Sequence, residues 1–243
     1  QWCGYGPPTY SPPKRKRTGL EIGYLYGTAA AWGVGTGIWL DFEAEVDNPG
    51  IAIIMPAIFG ALAPLGVFIA DYVMDDMPRG LPASIATGIW LGAGLGMGIW
   101  AVQNTTSSSS NEWGFKEFGR AEFVGSTAGG ALGALAGALL EPSPKTSMFT
   151  LSGATWATLI GGAFGGAASE GDWSRSNHYV MVGGLVGYGV GVLGTAIPSL
   201  AWVPSWSQIG AMWAGFGIGV AATTPIYLVY LAVPRSPLLA AAR

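Results

Sequence analysis

Any chemistry in this chain has to come from few side chains. There is one histidine, His178, and one cysteine, Cys3. A Ser–His–Asp set would depend on His178, which lies in the polar stretch EGDWSRSNH beside Asn177, where an imidazole is ordinarily solvated. A single Cys and a single His exclude an internal disulfide framework and a Cys/His metal cluster. No P-loop run occurs, and the GxGxxG-like matches fall inside apolar runs, as chance products of glycine richness. The carboxylates Glu21, Asp41, Asp71, Glu122 and Glu141 stand at the ends of apolar runs, where they reach water. None falls in the middle of a run, where an ion or proton site would require one. The hydroxyls inside the runs, Ser126, Thr127, Thr155, Thr158, Thr223 and Thr224, can bond back to their own helix carbonyls. These residues point to a non-enzymatic protein without cofactor or metal, and without a nucleic-acid partner.

The elements that would position them are read from charge spacing. Of 243 residues, 50% are apolar and only 10% charged, against about a quarter charged in soluble domains. Charge-free runs cover residues 22–40, 50–70, 80–102, 123–140, 146–169 and 179–234. The last is long enough for two spans, broken near Pro198 and Pro204. About 20 apolar residues cross the hydrocarbon core as a helix. The expectation is an all-α membrane protein, a polytopic bundle of about seven glycine-rich transmembrane helices. A Pro-rich basic surface arm (1–18) precedes the membrane domain (19–234), and a tail (235–243) follows. Pro56 and Pro64 fall in the second span, and the TTP of 223–225 predicts a kink in the seventh.

The glycines leave two architectures open. In GIWLGAGLGMGIW (88–100), Gly88, Gly92, Gly94, Gly96 and Gly98 alternate with large apolar residues, a period of two that a barrel strand would show. Residues 33–37, 187–191 and 215–219 repeat the pattern. The alternative to the bundle is therefore an outer-membrane β-barrel. Period four is also present: Gly88, Gly92 and Gly96; Gly125, Gly129, Gly133 and Gly137; Gly161 and Gly165. That spacing lies on one helical face and lets backbones approach closely in lipid. The runs also exceed the length of a barrel strand, which favours helices. TGIWL occurs at both 36–40 and 87–91, which either a duplication or a shared packing need would produce.

Charge placement bears on location. Lys14, Arg15, Lys16 and Arg17 form a basic block before the first span, and Asp41, Glu43, Glu45 and Asp47 an acidic group after it. Such a block meets lipid headgroups or serves as a topology signal. The chain begins with Gln; if a signal peptide was removed, the block lies on the exported side, against the positive-inside rule. An outer membrane removes that conflict and is favoured slightly over an inner one. Trp39, Trp100, Trp113, Trp173, Trp202 and Trp206 fall at span ends, as an aromatic belt would place them.

GSTAGGALGALAGALL and the GTGIWLDF and GIWLGAGLGMG segments resemble the glycine-zipper segments of bacterial envelope membrane proteins. The resemblance covers spans one, three and four, and implies helices packed and assembled through glycine faces. Those families carry a lipid-modified Cys near the start, and no clear lipidation box surrounds Cys3. The reading is an envelope assembly subunit whose partners are membrane lipids and further copies or other membrane subunits. A small-solute channel or transporter is the alternative within the helical fold.

Overall fold

The computed structural model describes residues 16–106, 113–169 and 173–232, with side chains of 173–176 and 230–232 excepted. Seven helices follow one another: α1 (Gly19–Glu43), α2 (Ile54–Val73), α3 (Leu81–Thr106), α4 (Phe115–Leu140), α5 (Pro144–Ala168), α6 (Trp173–Ala196) and α7 (Trp206–Ala232). A short 3-10 turn, Pro198–Leu200, links the last two. Among the described residues there is no strand, only an isolated bridge between Lys16 and Pro78. The β-barrel alternative is thereby corrected, and a helical fold without strands among the described residues argues against the outer membrane that the basic block had slightly favoured.

Local signals start the helices. Thr18 accepts from the Glu21 amide while the Glu21 carboxylate accepts from the Thr18 amide, a capping box that opens α1. Ser143 caps α5 by accepting from the Thr146 amide, with Pro144 at the first helical position. Ser205 and Gln208 exchange the same pair of bonds before α7. Helix α4 begins at Phe115, eight residues before the charge-free run at 123. Its first turns carry Lys116, Glu117 and Arg120, and Lys116 and Arg120 pair with acidic residues at the end of α1. Glu122 therefore lies two turns inside a helix, near Gly35 of α1, rather than at a span's end.

Five helical segments are long and apolar enough to cross a membrane: Ile54–Val73, Leu81–Thr106, Phe115–Leu140, Asn177–Leu200 and Trp206–Val229. The chain is a helical integral membrane protein on that ground. Helices α1 and α5 have the length but not the apolarity. Their buried faces carry the polar residues Thr28 and Thr36 in α1, and Ser147, Thr150 and Ser152 in α5. Both pack against several neighbours, α1 on α2, α3 and α4, and α5 on α6, α3 and α7. Helix α2, by contrast, leaves Ile54, Ile58, Leu62, Leu65, Phe68 and Ile69 exposed, an apolar surface of a kind hydrocarbon covers.

The bundle is built from three antiparallel hairpins, α1–α2, α3–α4 and α5–α6, with α7 beside α5. Helix α3 is central, touching α1, α4, α5 and α6. The apolar core is small: Ile22, Leu25, Met77, Leu81 and Ala86 where α1 meets the start of α3. In the α3–α4 and α5–α6 seams backbone-to-backbone contact replaces side-chain packing.

The two TGIWL segments lie at different depths. Trp90 of the second donates its indole N–H to Thr28 Oγ1 at 3.0 Å, so α1 meets Trp90 at Thr28 and not at Trp39. Each segment buries its Thr, Thr36 or Thr87, and turns the next glycine onto its hairpin partner. A local packing need explains the repetition without a duplication in register.

Candidate functional site: glycine seams and polar clusters

The seam between α3 and α4 consists of glycine against carbonyl. A Cβ on Gly92 would fall 2.6 Å from the Gly125 carbonyl carbon, and one on Gly129 2.8 Å from Gly92 Cα. Gly88 faces the Gly129 carbonyl, Gly96 that of Ala121, Gly133 that of Ser84, and Gly137 meets Leu81. Gly125 is opposed to Gly92 in turn. No side chain larger than hydrogen fits at these positions unless the helices separate. The α5–α6 hairpin repeats the arrangement: Gly161 faces the Gly183 carbonyl and Gly165 that of Tyr179. Gly187 and Gly191 of α6, with Gly153 of α5, extend this seam. In the sequence Gly187 and Gly191 stand out only as part of the period-two pattern at 187–191, although with Gly183 they stand at period four.

The period-two pattern of residues 88–100 has a helical cause. Gly88, Gly92 and Gly96 press on α4, whereas Gly94 meets Tyr188 and Gly98 meets Leu185, both on α6. Two stripes of period four, offset by a half-turn, sum to an apparent alternation. The strand-like signal therefore records that α3 has close neighbours on two sides. Tyr188 donates its hydroxyl proton to the Leu91 carbonyl and fixes this second contact.

Polar side chains join the hairpins to each other. Trp32 donates to Ser126 Oγ at 3.0 Å, linking α1 to α4, and Trp213 donates to Ser152 Oγ at 2.9 Å, linking α7 to α5. Hydroxyls inside the helices bond back to their own turns, Thr155 to Leu151, Thr158 to Ala154, Thr223 to Gly219 and Thr224 to Val220. Trp39 and Trp100 spend their indole N–H groups on Glu43 and on the Trp113 and Gly114 carbonyls. Thr105 Oγ1 lies 3.4 Å from His178 Nδ1.

Two charge clusters mark opposite ends of the bundle. At one end Arg17 donates to Asp71 through Nε and Nη2 at 2.7 and 2.5 Å, and Asp71 accepts a third bond from the Met77 amide. The buried Glu21 accepts from the Gly80 amide at 2.6 Å. Gly80 has φ of 85° and lies against the Pro142 carbonyl, so only glycine fits there. Lys16 reaches Asp76 at 3.2 Å and Asp75 at 3.6 Å. Its hydrogen bond to Asp76 raises its pKa above the ordinary lysine value. Arg17 is raised likewise by its bond to Asp71. Of the basic block, then, Lys16 and Arg17 are turned to aspartates of this same chain, while Lys14 and Arg15 lie outside the described residues. The serine run at 107–110 and the tail 235–243 also lie outside them.

At the other end Arg120 donates to both oxygens of Glu43 at 2.5 and 2.8 Å, and Lys116 donates to Glu45 at 2.7 Å. The Lys116 hydrogen bond holds the Glu45 carboxyl below the ordinary glutamate value. Asp41, in the last turn of α1, is 7% exposed, and neither of its carboxylate oxygens has a hydrogen-bond partner among the described residues. No group of three His, Cys, Asp or Glu side chains placed to hold a metal occurs among the described residues.

A groove of about 1620 Å³ runs between the α3–α4 hairpin and α6, reaching the start of α5. Its walls are apolar, from Leu91, Leu95, Leu132, Leu185 and Val192 among others, and its base carries the seam glycines. Ser84 borders it with a hydroxyl that has no hydrogen-bond partner among the described residues.

No protein-family model, curated protein or solved structure matches the chain.

Proposed function

We propose that the chain is a non-enzymatic assembly subunit of a bacterial cell-envelope membrane, with all seven helices spanning the lipid. Copies of it associate through glycine faces that the single chain leaves open. The observation that carries this reading is a contrast within the structure. In the α3–α4 and α5–α6 seams, glycines at period four are closed on a neighbouring backbone. On α1, Gly19, Gly23 and Gly27 have the same spacing and, among the described residues, nothing within 4 Å. On α7, Gly210, Gly215, Gly217 and Gly219 are equally open. In a membrane such faces are where a second helix comes close enough for dispersion and Cα–H contacts to hold it.

Native mass spectrometry and crosslinking in lipid nanodiscs test the proposal. The wild-type chain is expected as an oligomer. Gly23→Leu with Gly27→Leu, or Gly215→Leu with Gly219→Leu, is expected to shift it to monomer. The melting temperature should hold, because neither face has an internal neighbour. A monomeric wild type, or an oligomer unchanged in both variants, refutes the reading.

A small-solute path is the second reading, favoured by the groove beside α3 and the unpartnered Ser84 hydroxyl at its border. Solute flux into liposomes reconstituted with the protein, abolished by Gly189→Trp in the groove wall, would establish it in place of assembly.

A further inference from the structure

Six lysine and arginine side chains lie among the described residues. Four are paired: Lys16 and Arg17 with aspartates at one end of the bundle, Lys116 and Arg120 with glutamates at the other. Arg79 and Lys145 take part in no ion pair among the described residues. Both stand at the same end. Arg79 precedes Gly80, which lies against the Pro142 carbonyl, and Lys145 is in the first turn of α5, just beyond Pro142. With Glu141 beside them, this corner keeps one positive charge in excess.

The large groove opens at the same corner, where Pro142, Ser143, Thr146 and Ser147 border it. Ser143 and Thr146 spend their hydroxyls on each other at 3.1 Å. Ser147 is only 6% exposed, and its hydroxyl makes no hydrogen bond among the described residues. Its oxygen is not sealed in protein, as that of Ser84 is. Further along, the walls are apolar, from Leu132 of α4 and Val192, Ala196 and Ile197 of α6. Three of the helices that form the groove, α3, α4 and α6, are long and apolar enough to cross a membrane, so its open side meets hydrocarbon.

The groove is too narrow for another helix. It follows α4 from Glu117 to Leu140, about 35 Å at the helical rise. A volume of about 1620 Å³ spread over that length gives a mean section of about 46 Å². A helix about 10–12 Å across has about twice that section. Acyl chains are thinner and bend to fit, and burying them is favourable for every methylene removed from water or from a poorly packed void.

We propose that this groove holds a diacyl phospholipid with an anionic headgroup. Its acyl chains lie along Leu132, Val192 and Ile197. The Ser147 hydroxyl donates to a glycerol ester carbonyl, and Arg79 and Lys145 attract the headgroup. Such a site is complete within one chain, whatever association its copies make.

The test is native mass spectrometry of the full chain released from vesicles of equal phosphatidylglycerol and phosphatidylcholine. The wild type is expected to keep phosphatidylglycerol in preference to phosphatidylcholine. Arg79→Gln with Lys145→Gln is expected to lower that preference about fivefold or more. Gly189 is in the groove wall and has nothing within 4 Å among the described residues. Gly189→Trp therefore fills the groove without meeting a close neighbour, and is expected to expel the lipid. The charge variant decides the matter if Gly189→Trp does not fold. A wild type that keeps no lipid, or keeps both lipids alike, overturns the proposal. So does a folded variant of either kind that keeps phosphatidylglycerol as the wild type does. Oligomers that carry no lipid and dissociate on Gly189→Trp would give the groove to a second copy, and likewise overturn it.

Discussion

Gly88 and Gly129 face each other so closely that a Cβ on either one would overlap the carbonyl oxygen of the other. The relationship is reciprocal, and Gly92 with Gly125 and Gly161 with Gly183 repeat it. A contact of this kind has no flexible side chain that can give way. Each helix must move as a body.

Gly92→Ala is therefore expected to destabilise the bundle by about 1–3 kcal/mol, the range for overpacking in a tight interior. Gly66→Ala in α2 has nothing within 4 Å and is expected to be neutral or to stabilise by up to about 1 kcal/mol through helix propensity. Thermal unfolding of the two variants in one detergent compares them. Equal melting temperatures would remove the close-contact argument. Gly129→Leu with Gly133→Leu is expected to prevent the α3–α4 hairpin from closing at all.

Trp32→Phe removes the indole donor to Ser126 while keeping an aromatic ring beside Phe123. The expected loss is about 0.6 kcal/mol, the average for interhelical hydrogen bonds in membranes. A double-mutant cycle with Ser126→Ala isolates that energy, and a coupling indistinguishable from zero would contradict the bond.

Asp71→Asn leaves the guanidinium of Arg17, whose side chain is 21% exposed, with only its 3.2 Å contact to Asp76 as an anionic partner. Partial exposure lessens the penalty of breaking a buried pair, so a loss of about 1–3 kcal/mol is expected. Faster hydrogen exchange at the Met77 amide, which Asp71 accepts from, would be its local signature. Exchange unchanged at Met77 would mean that the latch does not depend on the carboxylate.

The two ends titrate outside the neutral range. Glu45 is lowered from 4.5 by its hydrogen bond to Lys116. Its contribution is present above that ordinary value and is lost as pH falls through the lower folded one. Lys16 is raised from 10.5 by its bond to Asp76. Its contribution is complete below that value and is lost as pH rises through the higher folded one. Neither pair should change between about pH 5 and pH 10, given those two shifts. Carbon-detected NMR of the Glu45 carboxyl checks this, and a midpoint above 4.5 would reverse the sign.

The seven helices were legible because each coincides over most of its length with a run without charge, and five of them are long and apolar enough to cross a membrane, where buried charge is costly. The start of α4 was not legible. Lys116, Glu117 and Arg120 read as an interfacial segment until Glu43 at the end of α1 and Glu45 just beyond it are placed beside them. The seam glycines stand out by spacing alone, yet spacing does not say which stripe has a neighbour. Gly19, Gly23 and Gly27 read like Gly88, Gly92 and Gly96, and only the latter are covered. Asp41 and Asp71 are likewise alike in sequence, each closing an apolar run. What separates them is a guanidinium that arrives from 54 positions away for one and not for the other.

Helix α3 needs neighbours that are made at different times. Its first stripe, Gly88, Gly92 and Gly96, can be closed as soon as α4 follows it from the ribosome. The second, at Gly94 and Gly98, together with the Leu91 carbonyl, waits for Leu185 and Tyr188 of α6. Biogenesis thus passes through a stage in which the central helix is half seated, with bare backbone turned to whatever occupies the insertion site. Membrane-insertion factors that shield small, backbone-rich surfaces would act on this chain in the interval between the emergence of α4 and that of α6.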